Sequence, residues 1–177
     1  MAAQPAPAAP YLNWATEELD DPHNLIHGFF SLIEDGSATD LLRLLDYITD
    51  KKAAAAGLNL DKLTLGDSDG VQARDDKNLG GSPDWAAVPG PKELGTVLMP
   101  DASGQKMTGL MVAAKDGSVE VAKMILERCE PDLGQVGTVI IEGHTIEGAS
   151  ALWCAAGAGH LPVVELLVDA GADVNQT

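Results

Sequence analysis

Residues 150–171 read "SALWCAAGAGHLPVVELLVDAG", and residues 108–129 read "TGLMVAAKDGSVEVAKMILERC". Aligned without gaps, the two stretches carry the same kind of side chain at most apolar and small positions. The matched positions are Leu110 with Leu152, Ala113-Ala114 with Ala155-Ala156, Gly117 with Gly159, Val121 with Val163, and Ile125-Leu126 with Leu167-Val168. Self-similarity of this kind is the sequence signature of a repeat architecture.

The repeated pattern predicts two short helices joined by a tight turn. Paired alanines on the first helix allow it to approach a neighbouring backbone closely, because each carries only a Cβ. The glycine permits the turn, and branched aliphatic residues on the second helix fill the groove against the next copy. A single unit cannot bury its apolar face alone, so stacked units are expected to share one continuous core.

A third and divergent copy is predicted over residues 23–56. Apolar residues recur at helical spacing over 25–33 and again over 41–48, and Gly36 interrupts the pattern between them. The residues that fill places comparable to those of the other two copies are Phe29, Ile33, Gly36 and Leu44. The sequence therefore predicts three helical pairs.

Two stretches are predicted to be flexible. Residues 1–22 form a tail rich in proline and alanine, and residues 57–104 form an insertion dominated by glycine, aspartate, serine and proline. Such compositions have too few apolar anchors to offset the entropy of ordering the chain. Order is expected to return in a repeat over 105–136, followed by an extended finger and a repeat over 137–177.

The stretches "TGLM" and "SALW" that open the two clear copies resemble the T-P-L-H opening of the ankyrin repeat, and residues 159–175 are close to its consensus. Proline is missing after Thr108 and Ser150, and Met111 and Trp153 stand where histidine is usual. The resemblance implies an all-α fold, a solenoid of helix-turn-helix units with β-hairpin fingers. It also implies a structural hydrogen bond from the histidine of the "GH" pair, His160.

The spacing between the copies indicates a lengthened finger. Leu152 follows Leu110 by 42 positions, whereas ankyrin units repeat about every 33 residues. The roughly nine extra residues lie within 130–146, where ankyrin repeats project their hairpins. They include "VIIEGHTI", in which β-branched residues flank Glu142 and Gly143, a pair suited to a two-residue turn. Glu142 is either a solvated turn residue or an acid that pairs with a cationic group of a partner.

Residues 137–177 are similar to the second-to-third repeat region of the feminization (Fem-one homologue) family, and "ALWCAAGAGH" is the most specific part of the match. Members of that family are substrate receptors of cullin-RING ubiquitin ligases. The resemblance implies a protein-binding adaptor that recognises C-terminal degrons, which are short tails often ending in arginine. Its expected partners are substrate tails and, in the full-length protein, components of the cullin-RING ligase.

The same resemblance implies a binding site for the degron. Ile141 and Glu142 match an aromatic-acidic pair at the tip of the family finger, where the acid contacts the guanidinium group. Isoleucine in place of the aromatic residue removes a stacking surface for that cation. Trp153 is expected to lie beside the groove and to form its wall together with Ile141.

The sequence stops directly after an ordinary repeat, whereas a solenoid normally ends in a polar capping repeat. We therefore expect a truncated solenoid that represents the N-terminal portion of a longer ankyrin protein. The residues expected to be partly uncovered on its outer face are Val163, Val164, Leu166 and Leu167. The elements that dock the ligase scaffold are expected to be absent.

Charge and composition restrict the possible partners. The chain has 11 Lys and Arg against 27 Asp and Glu, for a net charge of -16. This charge disfavours nucleic acid and acidic membrane surfaces, and it either favours a basic peptide or protein or serves only to keep the chain soluble. Two cysteines, Cys129 and Cys154, form no disulfide framework, which is typical of a cytoplasmic or nuclear protein.

No enzyme site or cofactor site is predicted. His23 and His27 are four residues apart, but no third metal ligand is near in sequence, so no metal site is expected. Cys129 and Cys154 lack a nearby base and suit a role in the core. Two alternatives to the ligase receptor stay open, namely a generic ankyrin scaffold unrelated to ubiquitin and an enzyme or metal protein that uses the insertion.

Overall fold

A computed structural model describes residues 22–55, 88–100, 104–141 and 143–176. The helices are α1 (Pro22–Glu34), α2 (Ala38–Ala55), α3 (Pro91–Thr96), α4 (Gly109–Asp116), α5 (Val119–Cys129), α6 (Ala151–Ala158) and α7 (Leu161–Asp169). The strands are β1 (Met99–Pro100), β2 (Lys106–Met107), β3 (Gly137–Ile141) and β4 (His144–Ala149). The predicted tail before residue 22 and most of the predicted insertion lie outside the described residues.

Three helical pairs stack in chain order. The first helices form one layer, in which α4 packs against α1 on one side and against α6 on the other. The second helices form the other layer, in which α5 contacts both α2 and α7. One continuous apolar core runs through all three pairs. The predicted stack of helix-turn-helix units is therefore confirmed.

The first helices of the last two units begin and end in the same way. The hydroxyl oxygens of Thr108 and Ser150 accept backbone N–H groups three residues later, at 3.3 and 3.2 Å, which satisfies donors that the helix leaves unpaired. Gly117 and Gly159 then end these helices in the left-handed region, at φ of 73° and 80°. Gly36 occupies the corresponding turn of the first unit, with a φ of 67°. These local signals place the turns at the glycines that the repeat pattern indicated.

The prediction of a flexible insertion through residue 104 is wrong for residues 88–100, which contain α3 and β1. Leu94 is fully buried and anchors α3 to the core. The backbone of α3 also lies close against the end of α5, because a Cβ built on Gly95 would be 2.7 Å from the carbonyl oxygen of Cys129. Val88 is also buried in the core, so two apolar anchors and a glycine contact order a segment whose overall composition resembles that of a loop.

The sequence carries local signals for α3, but they span only a few residues. Pro91 occupies the first helical turn, and the backbone N–H of Gly90 donates to the Glu93 carboxylate at 2.8 Å. The segment before it is tied to the first unit, since the Lys52 ammonium donates to the Val88 carbonyl oxygen at 2.6 Å. Helix α3 therefore bridges the first and second units.

The strands form one antiparallel sheet in the order β1-β2-β3-β4. Strands β1 and β2 form a hairpin that leads into α4, and β3 and β4 form a hairpin that leads into α6. Lys106 of β2 pairs with Thr138 of β3, so the two hairpins belong to the same sheet. The stacking of the helices and the pairing of the hairpins therefore follow the same order.

Burial differs between matched positions of the last two units. Ala114 is fully buried, whereas Ala156, at the same position one unit later, is exposed. The difference arises because α6 and α7 cover the second unit, while none of the described residues covers the third. Of the four residues expected to be partly uncovered on the outer face, Val164 and Leu166 are partly exposed as predicted. The expectation is wrong for Val163 and Leu167, which are fully buried. The exposed apolar residues there are Trp153, Leu161, Val168 and Val174.

His160 connects the turns of the last two units. Its Nε2 atom lies 3.0 Å from the carbonyl oxygen of Lys115, so the ring N–H donates across the interface between units. The ring also lies against Gly117, where a Cβ would be only 2.5 Å from His160 Nδ1. The predicted structural hydrogen bond is confirmed.

We expect His160→Ala to lower the free energy of unfolding by about 1–2 kcal/mol, because it removes this hydrogen bond and leaves the Lys115 carbonyl without its partner. Urea denaturation followed by circular dichroism measures the effect. Ser118→Ala is the matched control, since Ser118 holds the same turn position one unit earlier and makes no capping hydrogen bond. Equal losses in both variants would contradict the assignment.

Candidate functional site

The β3–β4 hairpin is the predicted finger. Ile141 pairs with His144, which leaves two residues between the strands, and Gly143 has a φ of 80° that suits such a turn. The predicted two-residue turn is confirmed by this register. Glu142 lies outside the described residues, so its role as the cation-binding acid stays a prediction.

A bulge at the base of the finger changes its direction. Gly137 pairs with Ala149 and Thr138 pairs with Glu147, so Gly148 is an extra residue on β4. Gly148 has a φ of 78°, a conformation that glycine adopts without strain. Such a bulge bends a strand and increases its twist. The finger therefore leaves the helical stack at an angle set by a glycine.

The end of β3 that lies near the turn is held by a buried glutamine that the sequence did not single out. The side-chain oxygen of Gln105 accepts the backbone N–H of Ile140 at 2.9 Å and the Lys115 ammonium at 3.4 Å. Gln105 is buried, and Val139, the neighbour of Ile140, is fully buried. The bond to Ile140 extends the attachment of the finger to the preceding hairpin beyond the single β2–β3 register pair. No sequence pattern marks a glutamine in this role.

The structure separates the two predicted site residues that it describes. Ile141 ends β3 beside the turn, whereas Trp153 lies on the first turn of α6, where its backbone N–H donates to Ser150 Oγ. Strand β4 lies between these points along the chain. Its six residues correspond to roughly 20 Å of extended chain. The two residues therefore lie near opposite ends of β4.

Trp153 presents a partly exposed ring at the edge of the stack, with 36% of its surface accessible. Its counterpart one unit earlier, Met111, is 1% exposed, and the Met111 sulfur is 3.0 Å from the position of a Cβ on Gly137. Met111 is therefore covered by the base of the next finger, and Trp153 has no such cover among the described residues. The ring is available as an apolar contact surface.

The cysteines are core residues. Cys129 and Cys154 are both fully buried. Burial raises the pKa of the Cys129 thiol to about 12 and that of the Cys154 thiol to about 11. Both groups are therefore protonated near neutral pH and are poor nucleophiles. Among the described residues no group of three histidine, cysteine or acidic side chains could hold a metal ion.

The surface formed by the finger, the preceding hairpin and the exposed ring of Trp153 is suited to contacting another polypeptide. Within the described ranges no helix is long and apolar enough to cross a membrane.

Replacing Gln105 with alanine is expected to loosen the finger, because the Ile140 amide loses its buried acceptor. The local opening free energy should fall by about 1–3 kcal/mol. Hydrogen exchange of the Ile140 amide, followed by NMR, reports this change, with the Ile125 amide of α5 as the internal control. Unchanged exchange at Ile140 would show that the bond does not hold the finger.

Cys129 and Cys154 are expected to resist a disulfide thiol reagent at pH 8 in the native protein and to react fully after unfolding in urea. Their thiols have an ordinary pKa of 9.0 when exposed. Because folding raises that pKa, the thiols favour the native state below pH 9, and this contribution declines as the pH rises toward 11–12. Rapid native labelling would contradict their placement in the core.

Comparison with known proteins agrees with this architecture. A family model described as ankyrin repeats in three copies matches residues 85–177, which is more than half of the chain. A Drosophila melanogaster protein described as a fem-1 homolog is 39% identical over 85 residues, which cover 48% of this chain. The chain spans only 12% of that relative's length. The similarity to Fem-one homologues is thereby confirmed, and the chain belongs to the ankyrin-repeat proteins.

Proposed function

We propose that the chain is the substrate-recognition portion of a ubiquitin-ligase receptor and that it binds C-terminal degrons of target proteins. Ankyrin repeats are protein-interaction modules, which makes an adaptor the coarse functional class of this chain. The likeness to a fem-1 homolog supports the finer proposal. In the full-length protein, components of a cullin-RING ligase would bind elsewhere, in the cytoplasm or the nucleus.

The observation that carries the proposal is the lengthened finger fixed to the stack. Its two strands have a defined register, and β3 is bonded near the turn, at Ile140, to Gln105 in front of β2. A finger held in this way presents its turn at a constant position relative to the first helices. A site for a short peptide tail benefits from such preorganisation, because less conformational entropy is lost on binding.

The separation of Ile141 and Trp153 defines how a tail would lie. We propose that an arginine at the end of the tail pairs with Glu142 at the turn of the finger. A residue about six positions upstream would then contact the Trp153 ring. The carboxylate–guanidinium pair can be bidentate and charge-assisted, which gives specificity for arginine over other side chains.

The edge position of β4 supports a second candidate function. Among the described strands β4 has a neighbour on one side only, and its residues His144, Thr145 and Glu147 are exposed. Such an edge can pair with a strand of a folded partner. This candidate is a generic ankyrin scaffold without a link to ubiquitin.

Peptide binding distinguishes the two candidates. We expect ten-residue peptides that end in arginine to bind about five- to a hundredfold more tightly than versions ending in alanine, in fluorescence anisotropy titrations. Glu142→Gln should remove most of this preference, whereas Glu147→Gln, on the same hairpin, should change affinity less than about twofold. Trp153→Ala should weaken long peptides but not those of three residues.

The degron proposal fails if arginine-ended peptides bind no better than alanine-ended ones and Glu142→Gln has no effect. Binding that depends on Glu147 and on β4, without dependence on the terminal arginine, would favour the scaffold.

A further inference from the structure

A cavity of about 300 Å³ opens between α1, the β1–β2 hairpin and α4. Its floor consists of Phe30, Met107 and Val112, which are 6%, 8% and 5% exposed. Met99 and Pro100 of β1 line one wall. We call this cavity the α1 pocket. Its volume is at the lower end for ligand sites and suits one bulky side chain with its flanking backbone.

The hairpin side of the α1 pocket is apolar and adaptable. Two of its lining residues, Met99 and Met107, are unbranched and polarisable, so they can adjust to apolar groups of different shapes. They face each other as a register pair across β1 and β2. An aliphatic side chain that entered this pocket would exchange water for close apolar contacts.

One rim of the α1 pocket is acidic. Ser31 and Glu34 lie on the same face of α1 as Phe30, at helical spacing, and both are exposed. Glu34 is the last residue of α1, and Asp35 follows it. Two carboxylates therefore sit at the negative end of a helix dipole, where a cation is favoured. Neither carboxylate has an ion pair within the described ranges.

The nearest lysine of the hairpin is not placed to neutralise this rim. Lys106 is next to Met107 on β2, and successive side chains of a strand point to opposite faces. Since Met107 lines the α1 pocket, Lys106 is directed away from it. No lysine of the hairpin therefore faces the Glu34 carboxylate, and the exposed His27 side chain, two turns earlier on α1, also lines the pocket.

The combination of an apolar pocket and an acid is specific to the first unit. Aligning Gly36 with Gly117 places Lys115 at the position of Glu34, and Lys115 bonds to the buried Gln105 side chain at 3.4 Å. Gly157 holds this position in the third unit. The acid is therefore not a general property of the repeat.

We propose that the α1 pocket binds a bulky apolar side chain of a partner polypeptide and that an adjacent arginine of the partner pairs with Glu34. The apolar floor selects the first group, and the acidic rim selects the second. This site lies on a different unit from the finger and requires no free C-terminus. It therefore stands independently of the degron proposal.

Methyl NMR on the full chain tests the site directly. The protein is labelled with ¹³C at the methionine methyl groups and titrated with the hexapeptide Ala-Ala-Leu-Arg-Ala-Ala, acetylated and amidated at its ends. The Met99 and Met107 methyl signals should shift and saturate together. The Met124 signal should stay in place, because Met124 lies on α5 in the other helical layer.

Peptide changes separate the two parts of the site. Replacing the peptide's leucine with alanine should weaken binding about tenfold or more. Replacing its arginine with glutamate should weaken binding by a comparable or larger factor, because the acidic rim then repels the peptide.

Two protein variants give matched controls. Glu34→Gln should weaken binding about two- to fivefold, whereas Glu127→Gln, an exposed acid on α5, should leave it unchanged. Ser31→Trp should fill the mouth of the pocket and suppress the shifts. Both Glu34→Gln and Ser31→Trp change exposed residues, so circular dichroism should confirm an unaltered fold.

Several outcomes overturn the proposal. These are the absence of saturable shifts at Met99 and Met107, equal shifts at Met124, and equal affinity for the alanine peptide. Loss of the shifts in Glu142→Gln would also overturn it, by moving the site to the finger. Failure of arginine-ended tails to bind at the finger would leave these titrations unaffected, so the two proposals fail separately.

Discussion

The close packing of α4 against α6 is the constraint on which the rest of the structure depends. Small residues such as Ala114 and Ala155 are fully buried there and let the two helices approach each other. Each of these helices directly follows a hairpin, so the distance between the helices also sets the distance between the hairpins. Strands β2 and β3 thereby come within pairing distance, about 4.8 Å. Larger side chains at these positions would separate the helices and the strands together. The position of the finger is thus a consequence of helix packing.

Features coded by short-range sequence patterns were predictable. The turns at Gly36, Gly117 and Gly159 and the register of the finger were predicted because glycine and helical periodicity act within a few residues. Helix α3 was missed, since its order depends on Leu94 reaching a core built by distant elements. The bond between Gln105 and Ile140 could not be predicted either, because it joins residues 35 positions apart.

The same distinction applies to the candidate site. A resemblance over residues 137–177 supplied Ile141, Glu142 and Trp153, but only the structure shows that a whole strand separates the first from the last. The α1 pocket requires the β1–β2 hairpin, whose first strand lies inside the predicted insertion. Contacts spread along hairpins and first helices suit an extended partner, because several weak contacts on one chain reinforce each other through effective concentration.

Hydrogen exchange in an Ala114→Leu variant tests most directly whether helix packing positions the finger. The added bulk between α4 and α6 should cost about 1–3 kcal/mol, and the amides of β3 should lose protection together with those of α6, while α1 keeps its protection. Ala156→Leu, at the matching exposed position, should change none of these. Full protection of β3 in Ala114→Leu, alongside destabilised α6, would contradict the account, since the finger would then be held independently of the stack.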